Sequence, residues 1–541
     1  MNPAMSEASS PMPSRRPWRL WRVLLLLLPL LPAVPLLQAM VAPPLGFDDI
    51  AEQARTLALS PYRTPASILP AELRDLREDD YAQISLRPGH ALWQHEKLPF
   101  ELSPFHPGPF QAQPVRIHEL NGAVHRLVRF KPSDFDYGSA PLSPQAWGDI
   151  GFAGFQVRAA DDEGENSDNP PSPLLVMGAT YFRALGTGQH YGSSAGGLAL
   201  DVVDGPGGDA ARFTDFWVER PAAEARTLVI YALMDSPTAS GAYQFIVHPG
   251  AETMVEVHVR LFPRGAVQAL ALAPLTSMVL SPTEGMRRSS HPGQAHNADG
   301  LMIAQAGGEW IWHPLSNPGE PLTASFPAGS LRGFGLMQRN RDPASYAPAE
   351  TGYETRPSSW IEPLQDWGPG EVQLLQLPTQ DAASDNVVAY WAPAQLPAAG
   401  QALDYRYRLH QQTRMQKLPP GWVAHARSDT AAAAQGDARA TARTVSTAEP
   451  MLPDERHYTI EFEGPALAML PAGVSPVARI TCGAGARVSE SRTYRNPATG
   501  NWQLSLRVQR LRHAGMTELR AFLAHERQVL TETWSAVLPA S

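Results

Sequence analysis

Alternation of apolar and polar residues with period two runs through this chain and constrains it to β-structure. In VEVHVRLF (255–262), Val255, Val257, Val259 and Leu261 fall on one side and Glu256, His258 and Arg260 on the other. That is the pattern of a strand with one face on a core. RTLVIYAL (226–233) is apolar on both sides, as a doubly covered strand is. Strand-like runs recur in SPLLVMGATYF, GAYQFIVHP, EWIWHP, VQLLQLP and NVVAYWAP, each cut by glycine or proline. With 42 Gly and 53 Pro the chain holds too many breakers for a helix bundle. The expectation is a large antiparallel β-sandwich. One helix precedes it, FDDIAEQARTLA (47–58), with Phe47, Ile50, Ala54, Leu57 and Ala58 on one face and Asp48 and Asp49 in its first turn.

A linker is expected at PAQLPAAGQAL (393–403), dividing the chain into a large sandwich over 46–395 and a smaller one over 396–541. In the second part NWQLSLRVQR directs Trp502, Leu504, Leu506 and Val508 inward, and its length suits an immunoglobulin-like sandwich. TELRAFLAHE (517–526) reads as a short helix and TETWSAV as a final strand. AADDEGENSDNPPSP (159–173) and the Ala-rich stretch 428–450 read as loops.

The N-terminus reads as an export signal. Arg15, Arg16, Arg19 and Arg22 precede an apolar run broken by Pro29, Pro32 and Pro35, which is a poor membrane span and a good signal core. SRRPWRL resembles a twin-arginine signal, and Ala39 ends a plausible cleavage site, giving a signal over 1–39. The membrane is then a partner only during export, and the destination is the periplasm. Cys482 is the single cysteine, so no intrachain disulfide forms. The net charge of −9 argues against a nucleic-acid partner.

Five of the thirteen tryptophans fall between 310 and 391: Trp310, Trp312, Trp360, Trp367 and Trp391. Such clustering suits either stacking on pyranose rings or the core of the sandwich. Arg339, Arg341, Tyr353, Arg356 and the pair Asp385-Asn386 lie in the same region, and arginine can fork onto sugar hydroxyls. Arg341 and Arg356 have Asp342 and Glu362 as alternative ion-pair partners, and Asp385 can serve as a turn former before its strand. His291, His296 and His313 lack the spacing of a zinc site, and no cofactor fingerprint occurs, so neither metal nor cofactor is expected.

These stretches together resemble the OpgG/OpgD (MdoG/MdoD) family of periplasmic glucan biosynthesis proteins. The resemblance rests on FDDIAEQARTLA, LPFELSPFHPG, YFRALGTGQHYGSSAGGLALD, DFWVERP, SDNVVAYWAP, ELRAFL, TETWS and the elements His296 to Gly300, GEWIW, GFGLMQRNRD and YETRPSSW. It spans about residues 47–538. It implies a galactose-mutarotase-like sandwich followed by an immunoglobulin-like one, β-1,2-linked glucan as the partner, and inverting glycoside hydrolysis or transglycosylation. The twin-arginine-like signal is closer to the OpgD branch, and the resemblance is compatible with a homodimer.

By the same resemblance Asp385 is the general acid and Tyr353 orders the route of water. An inverting site also needs a base, with the two carboxyls roughly 6.5–9.5 Å apart. Hydrolysing members carry Asp directly after the histidine of this stretch, where this chain carries Asn297. An amide cannot accept a proton at neutral pH. Asp299, on the face of Asn297 if the segment is a strand, is the candidate replacement; the alternatives are another acid, or weakly activated water, which means transfer to a sugar hydroxyl or very slow hydrolysis. Burial against Tyr390, Trp391 or Trp360 is the expected means of keeping the acid protonated. A glucan-binding or assembly role without cleavage, and a structural platform, are the competing readings.

Overall fold

The computed structural model describes residues 44–538 apart from positions 67, 110, 112, 160–171, 201–210, 281–294, 347–351, 416 and 431–453. The expected signal, nearly all of the acidic loop, His291 and most of the Ala-rich stretch lie outside these residues.

The architecture is all-β, as the alternation requires. Among the described residues two large sheets, of ten and fifteen strands, face each other. Their shared core joins Phe155, Val157 and Phe182 of one sheet to Phe216, Ile230, Phe245 and Val257 of the other. Val255, Val257, Val259 and Leu261 all point into it from Met254–Pro263. Each such side chain contributes about 1.5–3 kcal/mol by leaving water. The strand Leu228–Asp235 is apolar on both faces because its far side carries Tyr231 and Leu233 under the helix Phe47–Ala58, against Ile50 and Ala54.

The fifteen-stranded sheet does not stop at the first sandwich. Thr533–Leu538 pairs in parallel with Trp310–Pro314, Trp312 opposite Trp534, and continues the sheet into Thr517–His525 and Val477–Cys482. A four-stranded sheet, Trp422–Thr430, Glu455–Glu463, Trp502–Arg510 and Ala486–Arg495 in spatial order, lies over this extension. Leu504, Leu506 and Val508 are buried between them.

The expected helix at 517–526 is a strand. Thr517, Leu519, Ala521 and Leu523 are buried, and the intervening residues are less so. Glu, Leu, Arg and Ala favour helix locally, but the segment has a strand on each side to satisfy its backbone, and tertiary pairing overrides a weak propensity.

Candidate functional site

Asp385 and Asn386 divide their labour. Asn386 is buried, and its side-chain amide donates to the carbonyls of Val279 (3.1 Å) and Leu377 (2.9 Å) while its Oδ1 accepts from the Val279 N–H (2.8 Å). It pins the start of Val387–Pro393 to the end of Leu270–Ser277, against which that strand also pairs. Asp385 is thereby held at the surface, exposed, where its Oδ2 accepts from the Thr276 hydroxyl at 2.6 Å. The expected burial against aromatic rings is absent at this carboxyl. Trp391 is fully enclosed in the large core and Trp360 belongs to the core under the small sandwich.

The strand that carries Thr276 runs on into residues 278–280, which pair with 295–297: the Asn297 N–H donates to the Met278 carbonyl (2.8 Å) and Leu280 N–H to Ala295 (2.8 Å). Asn297 is buried, and its Oδ1 accepts from the Arg356 guanidinium. That guanidinium lies over the Tyr353 ring, 3.9 Å from its centroid. Burial lowers the Arg356 pKa, and Tyr353 and Asp385 are among the groups that oppose the shift. Asn297, Tyr353 and Arg356 are therefore in mutual contact, and Asp385 lies within electrostatic reach of the guanidinium.

Asp299 is oriented differently. The strand begins at Gly300, so Asp299 and Asn297 share no strand face, correcting the expectation. The Asp299 Oδ2 accepts the backbone N–H groups of Arg339 and Asn340, the latter at 2.7 Å, and its Oδ1 lies 3.4 Å from His296 Nε2. His296 in turn meets Gln338, whose amide donates to Tyr346 Oη and to the Tyr353 carbonyl. Asp299 thus anchors the turn after the strand Leu331–Met337, with partial exposure left to its carboxylate.

Other candidates are engaged by the protein itself. Arg339 forks onto Glu532 at 2.7 and 2.9 Å and covers the Trp312 ring at 3.5 Å. Arg341 donates to the carbonyls of Glu354 (2.7 Å) and Arg356, shaping the turn that holds Tyr353. Trp312 and Trp360 are buried where the small sandwich packs, and Trp310 stacks on Trp360 at 6.2 Å. Trp310 and Trp312 share one face of their strand, and the small sandwich occupies most of it. Glycines let the rings lie flat there: a Cβ at Gly300 would strike Trp312, and one at Gly333 would strike Trp360.

Sequence reasoning assigned no role to Tyr181, Arg183 and Ser194. Arg183 donates to Ser194 Oγ (3.0 Å), which donates to Tyr181 Oη (3.0 Å), and Tyr181 lies within electrostatic reach of Asp385. The signal was present in YFRALGTGQHYGSS, where Gly192 admits the Arg356 side chain: an added Cβ would come within 3.0 Å of it.

An all-β pair of sandwiches that exposes a carboxylate beside arginine, amide and tyrosine groups defines a class suited to hydroxyl-rich ligands. The comparisons specify it further. Residues 45–538 match the family model "Periplasmic glucan biosynthesis protein, MdoG". The chain is 41% identical to Glucans biosynthesis protein G of Ralstonia nicotianae over 509 residues, covering 93% of this chain and 98% of that one. It is 38% identical to the protein of that name from Sodalis glossinidius and 37% to that from Pectobacterium atrosepticum, each over 93% of this chain and 95% of the relative. The chain belongs to the MdoG family, whose description places it in the periplasm and in glucan biosynthesis.

Proposed function

We propose that this protein processes β-1,2-linked glucan in the periplasm with Asp385 as general acid. The observation that carries the reading is the setting of Asp385: an exposed carboxyl fixed by Thr276 and the Asn386 anchor, within electrostatic reach of an arginine stacked on Tyr353. As general acid it draws its proton from the solvent to which it is exposed and delivers it to the oxygen of the breaking glycosidic bond. Tyr353 and Arg356 border the face from which the acceptor approaches.

The acceptor is the distinctive part. Asn297 cannot take a proton, and one oxygen of Asp299 is occupied by two backbone N–H groups. Weak activation of water favours a sugar hydroxyl: its oxygen attacks the anomeric carbon while Asp385 protonates the leaving oxygen, the hydroxyl's own proton passes to water in the groove, and solvent returns a proton to Asp385. The reading is therefore transglycosylation with slow hydrolysis. The twin-arginine-like leader supports the OpgD branch of the family, although the three relatives above carry the name of protein G. A large domain, a small one and a homodimer complete the proposal, with Leu403–Gln412 on the large side of the divide because it pairs with Met254–Pro263 and Ser358–Pro363.

Product analysis after incubation with linear β-1,2-glucan tests it. Relinked or cyclic products from wild type, lost in Asp385→Asn, are expected; identical products from the two proteins would remove Asp385 from its role. Retained binding with no turnover in either protein favours the second reading, a glucan-binding assembly factor, which the amide at position 297 also supports.

A further inference from the structure

Between the large sandwich and the four-stranded sheet lies a cleft of about 850 Å³. On one side it reaches Asp299 and the turn 338–342 that Asp299 anchors; on the other it is walled by Trp422, His425, Glu461, Glu463 and Asn501. This second wall follows from strand alternation. In Glu455–Glu463, Tyr458, Ile460 and Phe462 point into the small core, so Glu461 and Glu463 project from the opposite face, paired with His425 and Trp422 of the neighbouring strand.

The wall is fixed before any ligand arrives. Glu461 accepts from Thr499 Oγ1 (2.7 Å), Asn501 Nδ2 (2.9 Å) and Asn496 Nδ2 (3.2 Å). Glu463 accepts from Trp422 Nε1 (2.9 Å) and Asn501 Nδ2 (3.3 Å). Asn496, Thr499 and Asn501 sit on a tight turn closed by Asn496 N–H to Asn501 (2.8 Å) and Gly500 N–H to Asn496 (2.8 Å), with Gly500 at φ +78°. Burial works against ionisation of Glu461, but the bonds from Thr499, Asn501 and Asn496 outweigh it and hold its pKa below the ordinary value. A carboxylate offers about four lone-pair sites. Glu463 keeps unused ones beside the N–H edge of the Trp422 indole, an arrangement that accepts from hydroxyls and places an aromatic ring in the wall of the cleft.

The cleft adjoins the site already described. Asp299 lines it, and two residues away Asn297 receives Arg356, which lies within reach of Asp385. We propose that the cleft is an accessory glucan subsite in which the small sandwich holds neutral glucosyl units remote from the linkage at Asp385, so that chain length is sensed by Trp422, Glu463 and Asn501. The inference rests on the reading of the Asp385 cluster as a glucan-processing site.

The test compares Trp422→Ala and Glu463→Gln with wild type, using long linear β-1,2-glucan and a short β-1,2 oligosaccharide. Glu463→Gln keeps the volume and an acceptor for Trp422, and thermal unfolding checks that both variants remain folded. The expected result is a KM for the long glucan raised roughly tenfold, the scale of one stacked ring with its hydrogen bonds, and unchanged kinetics with the short one. The same loss should appear in calorimetric binding of long glucan to the Asp385→Asn protein. Unchanged binding of long glucan, or equal losses for both lengths, overturns the subsite. If Asp385→Asn leaves turnover intact while cleft variants still lose long-glucan binding, the catalytic reading fails and the cleft stands.

Discussion

The Arg356 guanidinium donates to Oδ1 of Asn297, so the side chain at the position of the expected base is the acceptor of a buried hydrogen bond from a cation. Asn297→Asp would place a carboxylate there. A positioned base contributes about 10²–10⁴-fold, but pairing with Arg356 lowers the carboxylate pKa and weakens it. Hydrolysis of β-1,2-glucan, followed by new reducing ends, should rise roughly tenfold to hundredfold. A variant that folds and hydrolyses no faster than wild type would show that position 297 does not limit water activation.

Asn386→Ala should damage catalysis through position. Its loss strands the Val279 N–H and two carbonyls, at a cost of about 1–3 kcal/mol. Denaturant unfolding should show that loss, and kcat should fall with KM little changed because Asp385 is no longer held against Thr276. Stability lost with kcat intact would mean that Asn386 only braces the fold.

Arg339 and Glu532 join the two sandwiches, with the Glu532 side chain fully enclosed. Removing one partner of a buried pair leaves an uncompensated charge, at about 3–5 kcal/mol. Arg339→Ala and Glu532→Ala should each destabilise on that scale, and a double-mutant cycle should give coupling of about 0.5–3 kcal/mol. Additive losses, or weakened glucan binding at unchanged stability, would return Arg339 to the ligand.

Two enclosed histidines predict acid sensitivity. Burial lowers the His313 pKa from 6.5 to about 4, and burial likewise takes His106 to about 4 against an opposing bond to the Pro107 carbonyl. The unfolded chain binds more protons than the native one between these values, so stability rises with pH across the window. The contribution is present above about pH 6.5 and lost as pH falls towards 4, approaching about 3 kcal/mol for each histidine. Unfolding free energy measured from pH 7 to 4.5 should decline, less steeply in His313→Gln. Equal slopes in variant and wild type would contradict the assignment.

The strands were legible because alternation is local: Val255 to Leu261 declare their face without knowledge of any partner. Asn386 was not, since its role is defined by Val279, 107 residues away. Arg339 looked like a ligand fork for the same reason, its carboxylate lying 193 residues on. The tryptophan cluster divides between two cores, Trp367 and Trp391 in the large one and Trp312 and Trp360 under the small sandwich, a division that only the fold reveals. Residues 517–526 misled because helix-favouring side chains were placed where two strands wait to pair.

The central claim, that Asp385 cleaves the linkage and a sugar hydroxyl more than water receives the glucosyl unit, is tested most directly by turnover of linear β-1,2-glucan in ¹⁸O-labelled water with mass analysis of the products. Wild type should yield rearranged chains of which only a minority carry the label, and Asp385→Asn should yield neither labelled nor rearranged chains. Label in nearly every new product from wild type, or the same product pattern from Asp385→Asn, would contradict it.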